Sequence, residues 1–126
     1  MKLETRNMKI TKLEDFRSWS EAISLAEEVY KITAHFPKTE LYSLANQLQR
    51  AAVSVSANLA EGFGRQHSKD KERFYIIARG SLYEVKSLLV LAERLGFMKG
   101  QREVIDQMNK CLQLTGALIR KHRSEL

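Results

Sequence analysis

The densest run of cations in the chain is Arg120, Lys121, His122 and Arg123, four consecutive residues with no acidic neighbour among them. Clustered Lys and Arg attract phosphate by charge and by releasing the counterions that surround a nucleic acid. At the end of a helix the same residues would instead complement the negative pole of the dipole. A second basic group, Arg65, His67, Lys69 and Lys71, lies in the turn EGFGRQHSK ahead of a helix start, where free N–H groups also favour anions. The other reading of that segment is a solvated turn. Its glycines do not form the G-x-x-x-x-G-K-[ST] phosphate cradle, because His67 stands where the second glycine is required. Arg73 and Arg79 continue the basic series. Tyr30, Tyr42, Tyr75 and Tyr83 are interleaved with it and could either stack on unpaired bases or pack inside the protein.

A different constellation runs along the segment Arg50–Arg65, RAAVSVSANLAEGFGR. Gln47, Arg50, Ser54, Asn58 and Glu61 recur at spacings of three and four, which puts them on one face of a helix. Such a row could contact a ligand or partner, or Asn58 and Glu61 could satisfy local backbone groups, as polar residues near a core generally do. Gly80, costly inside a helix by about 1 kcal/mol relative to alanine, is expected to mark close approach of another helix.

Catalytic constellations are thin. His35, His67 and His122 fall at a helix end, a turn and the tail, and none makes H-E-x-x-H or Glu-x-x-His, so the spacing indicates no zinc or di-iron site. Cys111 lies on an apolar seam and reads as a small buried hydrophobe. As the only cysteine it excludes an intrachain disulfide. Ser81 and Thr115 have no base near them in sequence. The chain is therefore read as non-enzymatic, with no cofactor and no metal.

Four segments of helical periodicity carry these residues. The first covers about 18–35, with Ser18 and Glu21 spaced as a capping box, a stripe through Trp19, Ala22, Ile23, Ala26, Val29, Tyr30 and Thr33 widened by Leu25, Ile32 and Phe36, and a stop before Pro37. The second covers about 41–61, with Leu41, Leu44, Leu48, Ala51, Ala52, Val55, Leu59 and Ala60 inward, and Gly62 and Gly64 ending it. The third covers about 69–95 behind Ser68 as N-cap, with a seam of Phe74, Ile77, Ala78, Ser81, Val85, Leu88, Leu89, Ala92 and Leu95; Gly96 and Phe97 suit a Schellman stop. The fourth covers about 101–122, lined by Val104, Ile105, Met108, Cys111, Leu112, Thr115, Leu118 and Ile119. Residues 1–12 read as a polar tail, 13–123 as the bundle and 124–126 as a frayed end. Four amphipathic helices with short connections fold most simply as an all-α, antiparallel up-down-up-down four-helix bundle.

Composition is consistent with this. At 126 residues the chain makes one domain with a proper core. One proline and six glycines leave room for long helices. The formal net charge is +6 and its excess lies late in the chain. Residues 1–36 carry six basic and six acidic side chains, whereas 68–126 carry twelve and seven. Nucleic acid, acidic protein surfaces and anionic membranes all suit such a balance. The polar start lacks a signal-peptide core, and no stretch approaches the roughly 20 apolar residues of a membrane span. A cytoplasmic location is expected.

The blocks FRSWSEAISLAEEVYKITAHFP, LANQLQRAAVSVSANLAEGFGR and FYIIARGSLYEVKSLLVLAERLGF resemble the bacterial four-helix-bundle family encoded in intervening sequences of 23S rRNA genes. Gln47, Arg50, Ala51, Ser54, Asn58, Ala60, Glu61, Gly62 and Arg65 carry the most specific part of the resemblance, with Gly80, Ser81, Leu82 and Glu84 in the third helix. The family pattern often has isoleucine and proline near Ser54, where this chain has Val55 and Ser56. The resemblance implies a homopentamer without catalytic residues, similar to the accessory protein of diversity-generating retroelements, which binds nucleic acid and a reverse transcriptase. It covers about residues 16–121. The expected function is RNA or ribonucleoprotein binding through phosphate contacts at Arg65, Lys69, Lys71, Arg73, Arg79, Arg120, Lys121 and Arg123. The alternative is a scaffold docking a protein partner such as a reverse transcriptase.

Overall fold

The computed structural model describes residues 9–124, so most of the expected tail and the last two residues of the expected frayed end lie outside the described residues. Four α-helices occupy nearly all of it: α1 Arg17–Thr33, α2 Leu44–Phe63, α3 Ser68–Arg94 and α4 Arg102–Ser124, with short 3-10 turns at Leu13–Asp15 and Lys38–Glu40. Each helix packs on the next, and α4 closes the ring against α1. The short connections reverse direction each time. The result is an all-α four-helix bundle with one core.

The helix boundaries follow from local chemistry. Phe16, extended and buried, occupies the N-cap of α1 and stacks on Phe63 at 5.0 Å. The helix therefore starts at Arg17. Ser18 is buried inside it and forms no capping box, while Glu21 turns to α4, accepting from Gln107 Nε2 at 2.7 Å. Pro37 sets φ at −54° and opens the Lys38–Glu40 turn, so α2 begins at Leu44, with Leu41 left exposed. Glu40 Oε1 accepts from the Leu44 N–H at 3.4 Å at that start. His67, and not Ser68, holds the N-cap of α3. At its other end Gly96 adopts φ +79°, the Phe97 N–H donates to the Ala92 carbonyl at 2.9 Å and the Gly96 N–H to Glu93 at 3.0 Å. These are the two bonds of a Schellman stop.

The core runs the length of the bundle through Leu25 and Val29 of α1, Leu48, Val55 and Leu59 of α2, Leu82 and Val85 of α3, and Val104, Cys111 and Ile119 of α4. Two seams are rotated from the expected ones. In α3, Tyr75 and Leu82 point inward while Ile77 is 44% exposed and Leu95 53%. In α1 the buried line is Ala22, Leu25, Val29 and Ile32, with Tyr30 outside it. Burying aliphatic side chains stabilises by about 1.5–3 kcal/mol each, and in α1 Leu25 and Ile32 take the centre while Tyr30 stays in solvent.

Each of the four packed interfaces also carries a polar tie. Gln49 Nε2 donates to Thr33 Oγ1 at 3.0 Å between α1 and α2, and the Ser54 and Ser81 hydroxyls meet at 2.8 Å between α2 and α3. Arg123 Nε donates to Glu72 Oε2 at 2.8 Å between α3 and α4, and Gln107 bridges α4 to Glu21 of α1. Such ties break the translational freedom of a greasy seam and fix helix register.

Candidate nucleic-acid interface

Antiparallel packing has one consequence for charge. The start of α1, the end of α2, the start of α3 and the end of α4 all lie at the same end of the bundle. Aromatic contacts join them: Phe16 to Phe63, Phe16 to Tyr75 at 6.0 Å, and Tyr75 to His122 at 5.4 Å. The two basic groups that are about fifty residues apart in sequence are therefore neighbours. Residues 9–16, 61–74 and 117–123 together bring nine Lys and Arg side chains against five Asp and Glu. Most of the chain's surplus positive charge is thus at one end. The other end, closed by Phe36 against Phe97 at 5.8 Å, has mixed charges.

The cations at the basic end are not equivalent. Lys71 Nζ donates to the backbone carbonyls of Phe63 at 2.8 Å and Gly62 at 3.2 Å, capping the end of α2. Burial, and then the charge of Lys9, lower its pKa from the ordinary lysine value. Arg123 is engaged by Glu72. Lys69, Arg73 and Arg120 are exposed and make no ion pair among the described residues, and Arg79 is half-buried farther along α3. Lys121 is exposed. Arg65 pairs with Glu61 at 3.0 Å on the surface, a contact that solvent screening makes weak.

Phe74 adds what charge counting misses. The Arg65 and Arg73 guanidinium carbons lie 4.7 and 4.8 Å from the centroid of its ring, within cation–π range. Phe74 was expected in the core seam. It is half-buried beside Gly62, where it carries the two arginines. Lys9 and Lys12 were also missed, because charges cancel when residues 1–36 are counted as a block. Both line a cleft of about 780 Å³ at this end, together with Lys71, Lys121 and the aromatic residues Phe63 and Tyr75.

The polar row of α2 resolves into local bonds and a shallow groove. Asn58 Nδ2 donates to the Ser54 carbonyl at 2.8 Å and to Ser54 Oγ at 3.1 Å. Gln47, Arg50 and Ser54 line a groove of about 500 Å³ with Tyr42 and Glu84. Gly62 and Gly64 do not adopt the left-handed conformation expected of helix-ending glycines. Gly62 is helical and buried, and it faces the Tyr75 ring. Gly80 is exposed, and a Cβ there would meet nothing within 4 Å. No neighbouring helix of the same chain explains it.

Tyr75 is 2% exposed and cannot receive a base, whereas Tyr30, Tyr42 and Tyr83 are open to solvent. Cys111 is buried, and burial, followed by Glu21, pushes its thiol up to about 12. Such a thiol is a poor nucleophile at neutral pH. Among the described residues no three His, Cys, Asp or Glu side chains gather as a metal site. Among the same residues no helix is long and apolar enough to cross a membrane.

Comparison with known proteins places this geometry. No curated protein matches. A crystal structure of a protein of unknown function from the S23 ribosomal protein family of Bacteroides thetaiotaomicron superposes with a TM-score of 0.60. It covers 85% of this chain and 95% of its own at 19% identity, a likeness of fold. The family model described as 23S rRNA-intervening sequence protein matches residues 14–120, which takes in α1 to α3, the basic turn and α4 as far as Arg120, and the chain belongs to that family.

Proposed function

We propose that this chain is a non-catalytic, cytoplasmic, self-associating bundle that binds RNA or a ribonucleoprotein through phosphate contacts at its basic end. The observation that carries this reading is the convergence of the α2–α3 turn and the α4 terminus, which concentrates Lys69, Arg73, Arg120 and Lys121 in one region. Phosphate binding by such a region is dominated by counterion release. The family's association with 23S rRNA genes agrees with an RNA ligand. Lys71 and Arg123 serve this end differently, by holding its helices together.

Self-association is supported by the outward face of α3. Ile76, Gly80, Tyr83, Ser87, Val90 and Leu91 recur at three- and four-residue spacing opposite the core seam, and all are exposed. A helix with apolar residues on both faces is suited to burial on both. Gly80 would let the backbone of another copy come close. A ring such as a homopentamer would also place several basic ends side by side and multiply their potential.

The test is titration of a labelled structured RNA over a salt series. Affinity falling steeply with salt supports the proposal; no binding at low salt ends it. The second reading is a scaffold whose basic surface docks an acidic protein partner such as a reverse transcriptase. It is separated by pull-down after nuclease treatment, since a partner kept without RNA favours the scaffold.

A further inference from the structure

Within that RNA reading, we infer that Arg65 and Arg73, both layered on Phe74, form a phosphodiester-binding fork. The distances of 4.7 and 4.8 Å to one ring centroid put the two guanidinium carbons at most 9.5 Å apart. That is about one Debye length at physiological ionic strength. Their potentials add, and an anion within reach of both is drawn to both. Each guanidinium carbon lies over the ring at cation–π distance, and the ring does not use the N–H donors that phosphate oxygens would accept from. Little side-chain entropy then remains to be lost on binding.

The base of Phe74 is held: a Cβ on Gly62 would lie 3.1 Å from Phe74 Cβ, and α2 and α3 are tied farther on by Ser54 and Ser81. Arg73 and Phe74 thus ride together on α3, and Arg65 stands in the short turn just past the end of α2. Arg73 has no acidic partner among the described residues, and Arg65 has only Glu61, on the surface at 3.0 Å. Glu61 occupies the place of the ligand in its absence and competes with it. A phosphodiester that displaces it gains the charge of both arginines. An aromatic base can also stack on the outer face of a guanidinium, so a single-stranded or looped RNA segment fits better than a regular duplex.

The experiment measures binding of a fluorescein-labelled RNA hairpin across a salt series, with four proteins. They are wild type, Arg65→Gln/Arg73→Gln, the matched charge loss Arg94→Gln/Arg102→Gln at the opposite end, and Glu61→Gln. All are first checked for unchanged helicity and melting. The fork predicts about a tenfold or greater loss for the first double variant and a salt slope smaller by about 0.7–0.9 per lost contact. The far-end double variant stays within about twofold, and Glu61→Gln binds several-fold tighter. Equal weakening by the two double variants would show that net charge alone matters, and overturns the fork. An unchanged first double variant does the same while leaving RNA binding intact. A wild-type protein that binds at no salt concentration removes the RNA reading and the fork together.

Discussion

A Cβ placed on Gly62 would lie 2.6 Å from Cε1 of Tyr75. The two residues come from adjacent helices at the basic end, and the ring cannot retreat because it is itself 2% exposed and packed on Phe16. Gly62→Ala therefore sets two effects against each other. Alanine gains about 1 kcal/mol in helix propensity, while overpacking a full core costs about 1–3 kcal/mol. The clash is with a rigid ring, so the second effect wins. The urea midpoint should fall, and the melting temperature should drop by a few degrees. An alanine variant as stable as wild type would show that α2 and α3 separate at little cost.

The seam of α4 is legible in the sequence, and that of α3 is not. Val104, Met108, Cys111, Thr115 and Ile119 are all nearly inaccessible, and periodicity selects all five, along with Ile105, Leu112 and Leu118, which pack partly buried against the core. Helix α3 is apolar on two faces. A period of three to four fits Ile77 and Leu95 as well as Tyr75 and Leu82, and only packing against α2 and α4 chooses between them. The same limit applies to the site. Bundle topology brings Arg65 near Arg123, but which cation caps α2 and which meets Glu72 depends on helix rotation. Rotation is set by the whole interface and has no local signature in the chain.

Gly80 makes the reverse prediction from Gly62. With nothing within 4 Å, a Cβ is free of clash in the single chain, and Gly80→Ala should stabilise the isolated chain by up to about 1 kcal/mol. If a second copy approaches α3 there, the same methyl group weakens assembly. Sedimentation at several concentrations and melting in dilute solution read the two effects separately. The expected pattern is a higher melting point when dilute and a lower mass when concentrated; an undiminished mass excludes Gly80 from the contact. Tyr83→Glu with Leu91→Glu, on the same exposed face, should give monomers.

Thr115 is 1% exposed, and its Oγ1 has no hydrogen-bond partner among the described residues. A buried polar group left unsatisfied costs about 1–3 kcal/mol. Valine has nearly the same shape without the hydroxyl, so Thr115→Val should raise stability by about 1 kcal/mol, seen as a higher urea midpoint at unchanged slope. A loss of stability instead would mean that the hydroxyl is engaged in solution.

Alkaline pH should destabilise the bundle through two buried acids. Burial pushes the Cys111 thiol from its reference of 9.0 up to about 12, and the Tyr75 phenol from 10.0 up to about 12. Both are neutral when protonated, so the folded state binds their protons more tightly than the unfolded chain does. Their contribution is complete below pH 9. It declines as the unfolded chain ionises and is lost through about pH 12. Unfolding free energy, measured by urea titration at steps from pH 8 upward, should fall from pH 9 onward, and Cys111→Ala should remove the earlier part of the slope. At pH 8 a thiol reagent should label Cys111 in urea and leave the folded protein nearly untouched. Rapid labelling without urea would show that α4 opens from the core far more often than its packing implies.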